Sequence, residues 1–358
     1  MLFPNADVVV NPALLLLLGV MVGTLSGFFG VAGAFLITGG LLVFGVPTVA
    51  AVGTSLALTM GSSLITTLKH RKLGNVDFKL GLLLITGTIP AVVLAERLNA
   101  SLESVGLVGP VIRYTYMAIL AALGLFIVYD HWQARQQTGS QRGEVSTVRL
   151  AQRVRAIRIP PHSVKIPGFR AVSTYASLPV SGIGPISVLL PISIGFGVGF
   201  LGGLLGAGGA FVLLPIQIYL LGIPTTAAIG TSLFQNIITG SVGTFLYALS
   251  NHVDLLMALI MLAAASAGAQ LGATATRSIE AARIRILYGI TILSASVAVA
   301  LKQASQSGPG LEFLSSVAPF LLLSVSGAMC LIIAAMLVAA KREERVAGAK
   351  TKTHRQAR

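Results

Sequence analysis

The chain has 358 residues, of which 54% are hydrophobic and 10% charged, with a mean hydropathy of +0.87 and a net charge of +14. Soluble domains carry about 25% charged residues, so this composition excludes one and calls for an all-α, polytopic membrane protein built on runs of the ~20 apolar residues that cross a hydrocarbon core. Its single cysteine, Cys330, excludes a disulfide within the chain and leaves no thiol cluster for a metal.

The N-terminus, MLFPNADVVVNPALLLLLGV, has no Lys or Arg before its apolar run. It therefore reads as a first membrane segment and not as a cleaved signal, which needs a basic leader. A glycine-rich segment over 13–44 follows, then helices over 48–68, 78–96 and 112–131. The stretch 133–182 contains Pro160, Pro161 and Pro167 and reads as an irregular linker. The pattern then recurs: a glycine-rich segment over 184–221 and helices over 225–248, 255–276 and 284–301. A last apolar run, 317–340, has no earlier counterpart. The organisation is a first transmembrane repeat (1–132), a basic cytoplasmic linker (133–182), a second repeat (183–302), an extra C-terminal helix (303–340) and a basic cytoplasmic tail (341–358), with 8–9 main membrane helices in all.

The positive charge is concentrated. Eight Lys/Arg against Glu144 lie between His131 and Gly182, and seven against Glu343 and Glu344 lie in the tail, together twelve of the fourteen net charges. Basic segments beside membrane spans report cytoplasmic location and face anionic lipid, so lipid is the expected partner here and nucleic acid is not.

The repeat is explicit. Gly19, Gly23, Gly27, Gly30, Gly33, Ala34 and Phe35 match Gly195, Gly199, Gly203, Gly206, Gly209, Ala210 and Phe211 at an offset of 176. After one inserted residue, GVPTVAAVGTSL (45–56) faces GIPTTAAIGTSL (222–233), and NVD (75–77) faces HVD (252–254). KHRK at 69–72 is cytoplasmic by its charge, whereas the equivalent loop, SNHVD, holds no Lys or Arg and is external. Equivalent loops on opposite faces require inverted halves, hence an odd number of crossings in each. A glycine-rich segment broken or re-entrant near GAGG (206–209) supplies it. The alternative is one long tilted helix whose glycines only allow close packing.

A broken helix at membrane depth presents unpaired N–H groups and a positive dipole end, which suit an anion. The candidate substrate-binding residues are therefore Gly33 and Ala34, with Gly208, Gly209 and Ala210, at the two helix starts. Thr54 and Ser55, with Thr231 and Ser232, supply hydroxyls from the next helix, and Gln235 and Asn236 follow in the second half alone. Each hydroxyl could instead bond back to its own helix. No Asp, Glu, Lys or Arg falls inside the first two helices of either half, and all five histidines lie in loops, at helix ends or in the tail. A cation site would need intramembrane carboxylates or histidines. No catalytic residue, metal site or cofactor is expected, and no P-loop for ATP is present.

GLLGAGGAFVLLP followed by GIPTTAAIGTSL, their degenerate earlier copy, and the later NVD and HVD resemble the sulfite exporter TauE/SafE family of membrane transporters. The resemblance covers the chain apart from the linker, the last helix and the tail. It implies secondary transport, in the export direction, of a small anion such as sulfite or an organosulfonate across the bacterial inner membrane. Another anion, thiosulfate or a carboxylate, and a non-transporting membrane sensor or scaffold are the alternatives.

Overall fold

A computed structural model of the protein describes residues 1–30, 34–136, 163–164, 172–173, 175–178, 180–305 and 313–356. It is all-α apart from three two-stranded antiparallel ribbons: β1 (Leu2–Phe3) with β2 (Val8–Val9), β3 (Ser163–Val164) with β4 (Val172–Ser173), and β5 (Tyr175–Leu178) with β6 (Ile183–Ser187). The first ribbon precedes the membrane segment read at the N-terminus; the second lies inside the 133–182 stretch expected to be irregular, and the third pairs that stretch with the residues just after it. Most of that linker lies outside the described residues.

In the first half, α1 (Pro12–Phe29) starts on Asn11, whose side chain accepts from Ala13 N at 2.9 Å, with Pro12 in the first turn. It stops at Gly30, which takes the left-handed conformation (φ 69°) that ends helices. Helices α2 (Ala34–Val43), α3 (Thr48–Lys72), α4 (Phe78–Ser104) and α5 (Val108–Gln136) follow. In the second half, α6 (Leu189–Leu205) ends on Gly206 (φ 72°), and α7 (Ala210–Pro215) passes into a π-helical turn, Ile216–Leu220, immediately after its proline. Proline removes an amide from the helix ladder, so the carbonyl of Phe211 loses its partner. The hydroxyl of Tyr288 donates to it at 2.6 Å. Then come α8 (Thr225–Leu249), α9 (Leu255–Ser278), α10 (Ala281–Ala304) and α11 (Leu314–Gln356). The last helix runs straight through the stretch read as a tail.

Among the described residues, seven helices are long and apolar enough to cross a membrane, with α6 one residue short of that length. The chain is a polytopic helical membrane protein. Both glycine-rich segments are broken where the sequence reading placed the break, and the single long helix is not what forms.

The helices of one half pack on those of the other. Glycines at 19, 23 and 27 of α1 lie against Met261, Ala265 and Ala269 of α9, so these two helices run parallel. Glycines at 195, 199 and 203 of α6 do the same against Leu84, Thr88 and Val92 of α4. Helices α3 and α8 are antiparallel: Gly53 meets His252, Gly240 meets Met60, and Gly230 meets Asn75. So are α5 and α10, through Gly289 on Ile127 and Arg113 on Gln303. First helix on third and third on first, with the second and fourth each on its own counterpart, is the pairing a two-fold axis between the halves generates. Helix α1 starts where α8 finishes, through Asn5 Nδ2 donating to Val253 O at 2.9 Å. Helix α6 starts where α3 finishes, through the hydroxyl of Ser181 donating to Asp77 Oδ2 at 2.7 Å. Since α3 and α8 oppose each other, α1 and α6 point opposite ways.

Candidate functional site

Helices α3 and α8 are each 25 residues long, and Thr59 and Asn236 stand midway along them. The two positions correspond at the repeat offset of 177. The glycine turn between α6 and α7 brings them together. A Cβ on Gly208 would lie 2.9 Å from Thr59 Cγ2 and 3.0 Å from Asn236 Oδ1. The turn can come this close because Gly206, Gly208 and Gly209 all have positive φ, and because Gly202 leaves room for the backbone of Gly208 and Gly209 to lie on α6.

The polar atoms here are unusual. Asn236 is fully buried, and neither Oδ1 nor Nδ2 has a hydrogen-bond partner among the described residues. The same holds for Thr59 Oγ1, Gln235 Oε1 and Gln217 Nε2. Buried polar side chains are nearly always paired, and each unpaired one represents about 1–3 kcal/mol of desolvation left uncompensated. Around them, Gln235 Nε2 donates to Thr88 at 3.0 Å and to Thr239 at 2.7 Å, and the Thr88 hydroxyl donates on to Gly195 O at 3.1 Å. The Ser232 hydroxyl donates to Gln217 Oε1 at 3.3 Å, and Ser232 lies one helical turn before Asn236 on the same face. The amides of Ala210 and Phe211 precede the first bonds of α7, which run from Val212 and Leu213 to Gly209 O at 3.0 Å. Among the described residues, the buried titratable side chains outside the tyrosines are His70, Asp77 and Asp254, all near helix ends. The centre thus carries neutral donors and acceptors without a fixed charge.

The predicted residues divide. Gly208, Ser232, Gln235 and Asn236 converge on this centre, with Ala210 opening α7 beside it. Gly209 faces away, its absent Cβ pointing at Val198 of α6, with Cγ1 2.7 Å off. Ser55 bonds back to Ala51 O at 2.6 Å. Thr54 and Thr231 do neither: their hydroxyls accept the amides of Asp254 and Asp77, both at 3.0 Å, across the two halves. Those aspartates cap α9 and α4, so the GTS motif of each half holds the Val-Asp motif of the other. Ala34 opens α2, and Gly33 lies outside the described residues.

Thr59, Thr88 and Gln217 complete the centre and were not among the predicted set. Thr59 was reachable from sequence, since it occupies the repeat position of Asn236. The sequence places His70 at a helix end and says no more of it. It lies buried in α3, with Nε2 3.2 Å from Gly27 O and Nδ1 3.3 Å from Asn75 Nδ2. Its repeat counterpart, Tyr247, donates to Gly203 O at 3.1 Å, the counterpart of Gly27.

A two-fold pairing of broken helices around a neutral polar centre is a carrier's architecture, and comparison with known proteins agrees. The family model for sulfite exporter TauE/SafE matches residues 15–299. The chain belongs to that family. It is 25% identical over 288 residues to the probable membrane transporter protein YunE of Bacillus subtilis strain 168, covering 78% of this chain and 94% of that relative. A probable membrane transporter protein of Xylella fastidiosa strain Temecula1 is 30% identical over 118 residues, 32% of this chain and 42% of the relative. No solved structure matches. The TauE/SafE chain is a membrane transporter, and its substrate is a small molecule.

Proposed function

We propose that this TauE/SafE protein is a secondary exporter of a small oxyanion, sulfite or an organosulfonate, across the inner membrane, and that its halves are inverted copies moving about the α3–α8 crossing. The observation that carries the reading is Asn236: an amide at mid-helix, fully buried, with both polar atoms unpaired among the described residues and beside a bare glycine turn. Neutral amide and hydroxyl donors can hold an oxyanion without a cation, so the site releases it without breaking a buried ion pair. Asn236 Nδ2, Gln217 Nε2, Thr59 Oγ1 and the amides of Ala210 and Phe211 are the donors. Asn236 Oδ1 and Gln235 Oε1 accept a hydroxyl or ammonium on the same substrate, as hydrogensulfite or an aminosulfonate would offer.

The test is efflux from liposomes containing the purified full-length chain and loaded in turn with radiolabelled sulfite, taurine, thiosulfate or acetate. Sulfite or taurine is expected to leave fastest. Asn236→Leu is expected to cut flux roughly ten- to a hundred-fold, the worth of one hydrogen bond of about 1.5–3 kcal/mol to a charged ligand. Unchanged flux in that variant removes the site. Flux of none of the four compounds removes the exporter and leaves a sensor or scaffold.

A further inference from the structure

We infer that the substrate passes between the central site and the face carrying Lys69–Lys72 along the seam between α3 and α8, with the hydroxyls of Thr59, Ser63 and Thr67 as successive ligands. The inference rests on the anion-carrier reading above and adds the route.

Six hydroxyl side chains crowd one side of α3 and fall into two adjacent stripes. Ser55, Ser62 and Thr66 return their hydroxyls to their own helix, on Ala51 O at 2.6 Å, Thr59 O at 3.3 Å and Ser62 O at 2.7 Å. That is the ordinary fate of such residues in a membrane helix. Thr59, Ser63 and Thr67 do not follow it. All three are buried, and none of their hydroxyls has a partner among the described residues. They recur every fourth residue, which sets one hydroxyl about 6 Å beyond the last along the helix axis.

The seam they occupy is not equally polar on the two sides of the helix crossing. Between the Met60–Gly240 and Asn75–Gly230 approaches, α3 offers Ser63 and Thr67, and α8 offers Ser232, Gln235 and Asn236. On the other side of the crossing α3 offers Val49 to Val52 and Ser55, whose hydroxyl turns back to Ala51 O, and α8 offers Thr244, the repeat counterpart of Thr67, its hydroxyl also without a partner among the described residues. There Gly240, the repeat counterpart of Ser63, is packed against the Met60 backbone, with its absent Cβ 2.8 Å from Met60 N. Fold symmetry alone would make both sides alike, so Ser63, Gln235 and Asn236, which answer to Gly240, Leu58 and Thr59, are what makes the polar row continuous on one of them. At its far end stand Lys69, Arg71 and Lys72, the last two exposed, which raise the local concentration of anions at the mouth. His70 stands between them, its ring held on Gly27 O and Asn75.

Cysteine accessibility in the full-length chain decides it. In a Cys330→Ala background, Ser63→Cys and Thr67→Cys are exposed to a negatively charged methanethiosulfonate applied to one face of membrane vesicles at a time, and washed before efflux is measured. Both are expected to react from the Lys69–Lys72 face alone, Thr67→Cys the faster, and reaction is expected to stop efflux. Val52→Cys, packed against Gly206 beyond the crossing, serves as the unreactive reference. Reaction from the opposite face, or no reaction above that reference, overturns the route. Should the cysteine variants fail to assemble, Thr67→Val is expected to slow efflux several-fold and Thr67→Ser to restore it; equal rates in the two overturn the route. The two readings fail separately. An inert ladder with a flux-dead Asn236→Leu leaves the site standing, and a reactive ladder with a flux-normal Asn236→Leu leaves the route without the site.

Discussion

The two halves agree at their edges and disagree at their centre. Around the periphery the same contact is made twice: Thr54 on Asp254 N and Thr231 on Asp77 N, His70 on Gly27 O and Tyr247 on Gly203 O, Tyr116 on Phe35 O and Tyr288 on Phe211 O. Residue types differ, as between His70 and Tyr247, yet a donor meets the same carbonyl. At the crossing, by contrast, Asn236 stands opposite Thr59, Gln235 corresponds to Leu58, Gln217 to Leu41, and Gly208 to Ala32. The repeated contacts tie helix ends and hold the two-fold frame. All three amide side chains of the centre come from the second half, which is where a frame without symmetry in its contents can bind an asymmetric ligand.

The largest effects should come from the frame, and in equal measure from both halves. Gly19 and Gly195 are counterparts whose Cβ positions fall on the backbone of a neighbouring helix, Met261 O in one case and Leu84 O in the other. Backbone cannot yield as a side chain can, so Gly19→Ala and Gly195→Ala are each expected to cost the upper end of the about 1–3 kcal/mol seen for overpacked cores, or more. Gly197, two residues from Gly195, faces outward, and a Cβ there would meet nothing within 4 Å among the described residues. Gly197→Ala is expected to be neutral or to gain up to about 1 kcal/mol of helix propensity. Fluorescence-monitored size exclusion after a heating step in detergent reads all three. Tolerance of alanine at one counterpart and not the other would break the equivalence of the halves.

Intermediate effects belong to the cross-half threonines. Thr54→Val and Thr231→Val keep shape and remove the acceptor of a buried amide, Asp254 N or Asp77 N. Each should lose about 1–3 kcal/mol, the penalty for a buried donor left unpaired, and the two losses should match. The comparison sharpens if flux per folded molecule is measured beside thermal stability. A frame residue lowers the amount of folded protein and leaves that flux nearly unchanged. A drop in flux at full stability would return Thr231 to the binding site where the sequence reading had put it.

That reading had most of the fold because each feature leaves a local mark. Pro-Thr and Val-Asp mark helix starts, and the structure begins α3 and α8 at Thr48 and Thr225, α4 and α9 after Asp77 and Asp254. GAGG marked the break because positive φ selects glycine. The extent of α11 was not legible, since the charged stretch after Ala340 has as much helix propensity as it has polarity. Within the site, a motif such as GTS says that a hydroxyl is needed and not what it touches. Thr231 lies next to Ser232 in sequence and faces another helix, one helical residue turning the side chain by 100°. Gln217 reaches the centre only because a π-helical turn follows Pro215, a register change that hydropathy does not report.

The smallest effect on stability should come from the residue with the largest effect on transport. Asn236 holds two buried polar atoms with no partner among the described residues, and their desolvation is a standing destabilisation of the folded state. Leucine keeps the branching at Cγ, with bulkier methyls in place of the amide oxygen and nitrogen, and leaves nothing to satisfy. Asn236→Leu is therefore expected to unfold at the same temperature as the parent or slightly above it, a change between zero and about 1 kcal/mol in favour of the variant. Gln235→Leu, one residue away, removes the bond to Thr239 and the bond to Thr88 that ties α8 to α4, so it should unfold earlier. Heating both in the same detergent compares them directly. A marked loss of stability in Asn236→Leu would show that the amide has partners that hold the helices, placing it with the frame. A variant that is at least as stable as the parent and carries no anion would show the opposite: a polar group kept at the centre of α8 against its own folding energy, for the sake of what binds there.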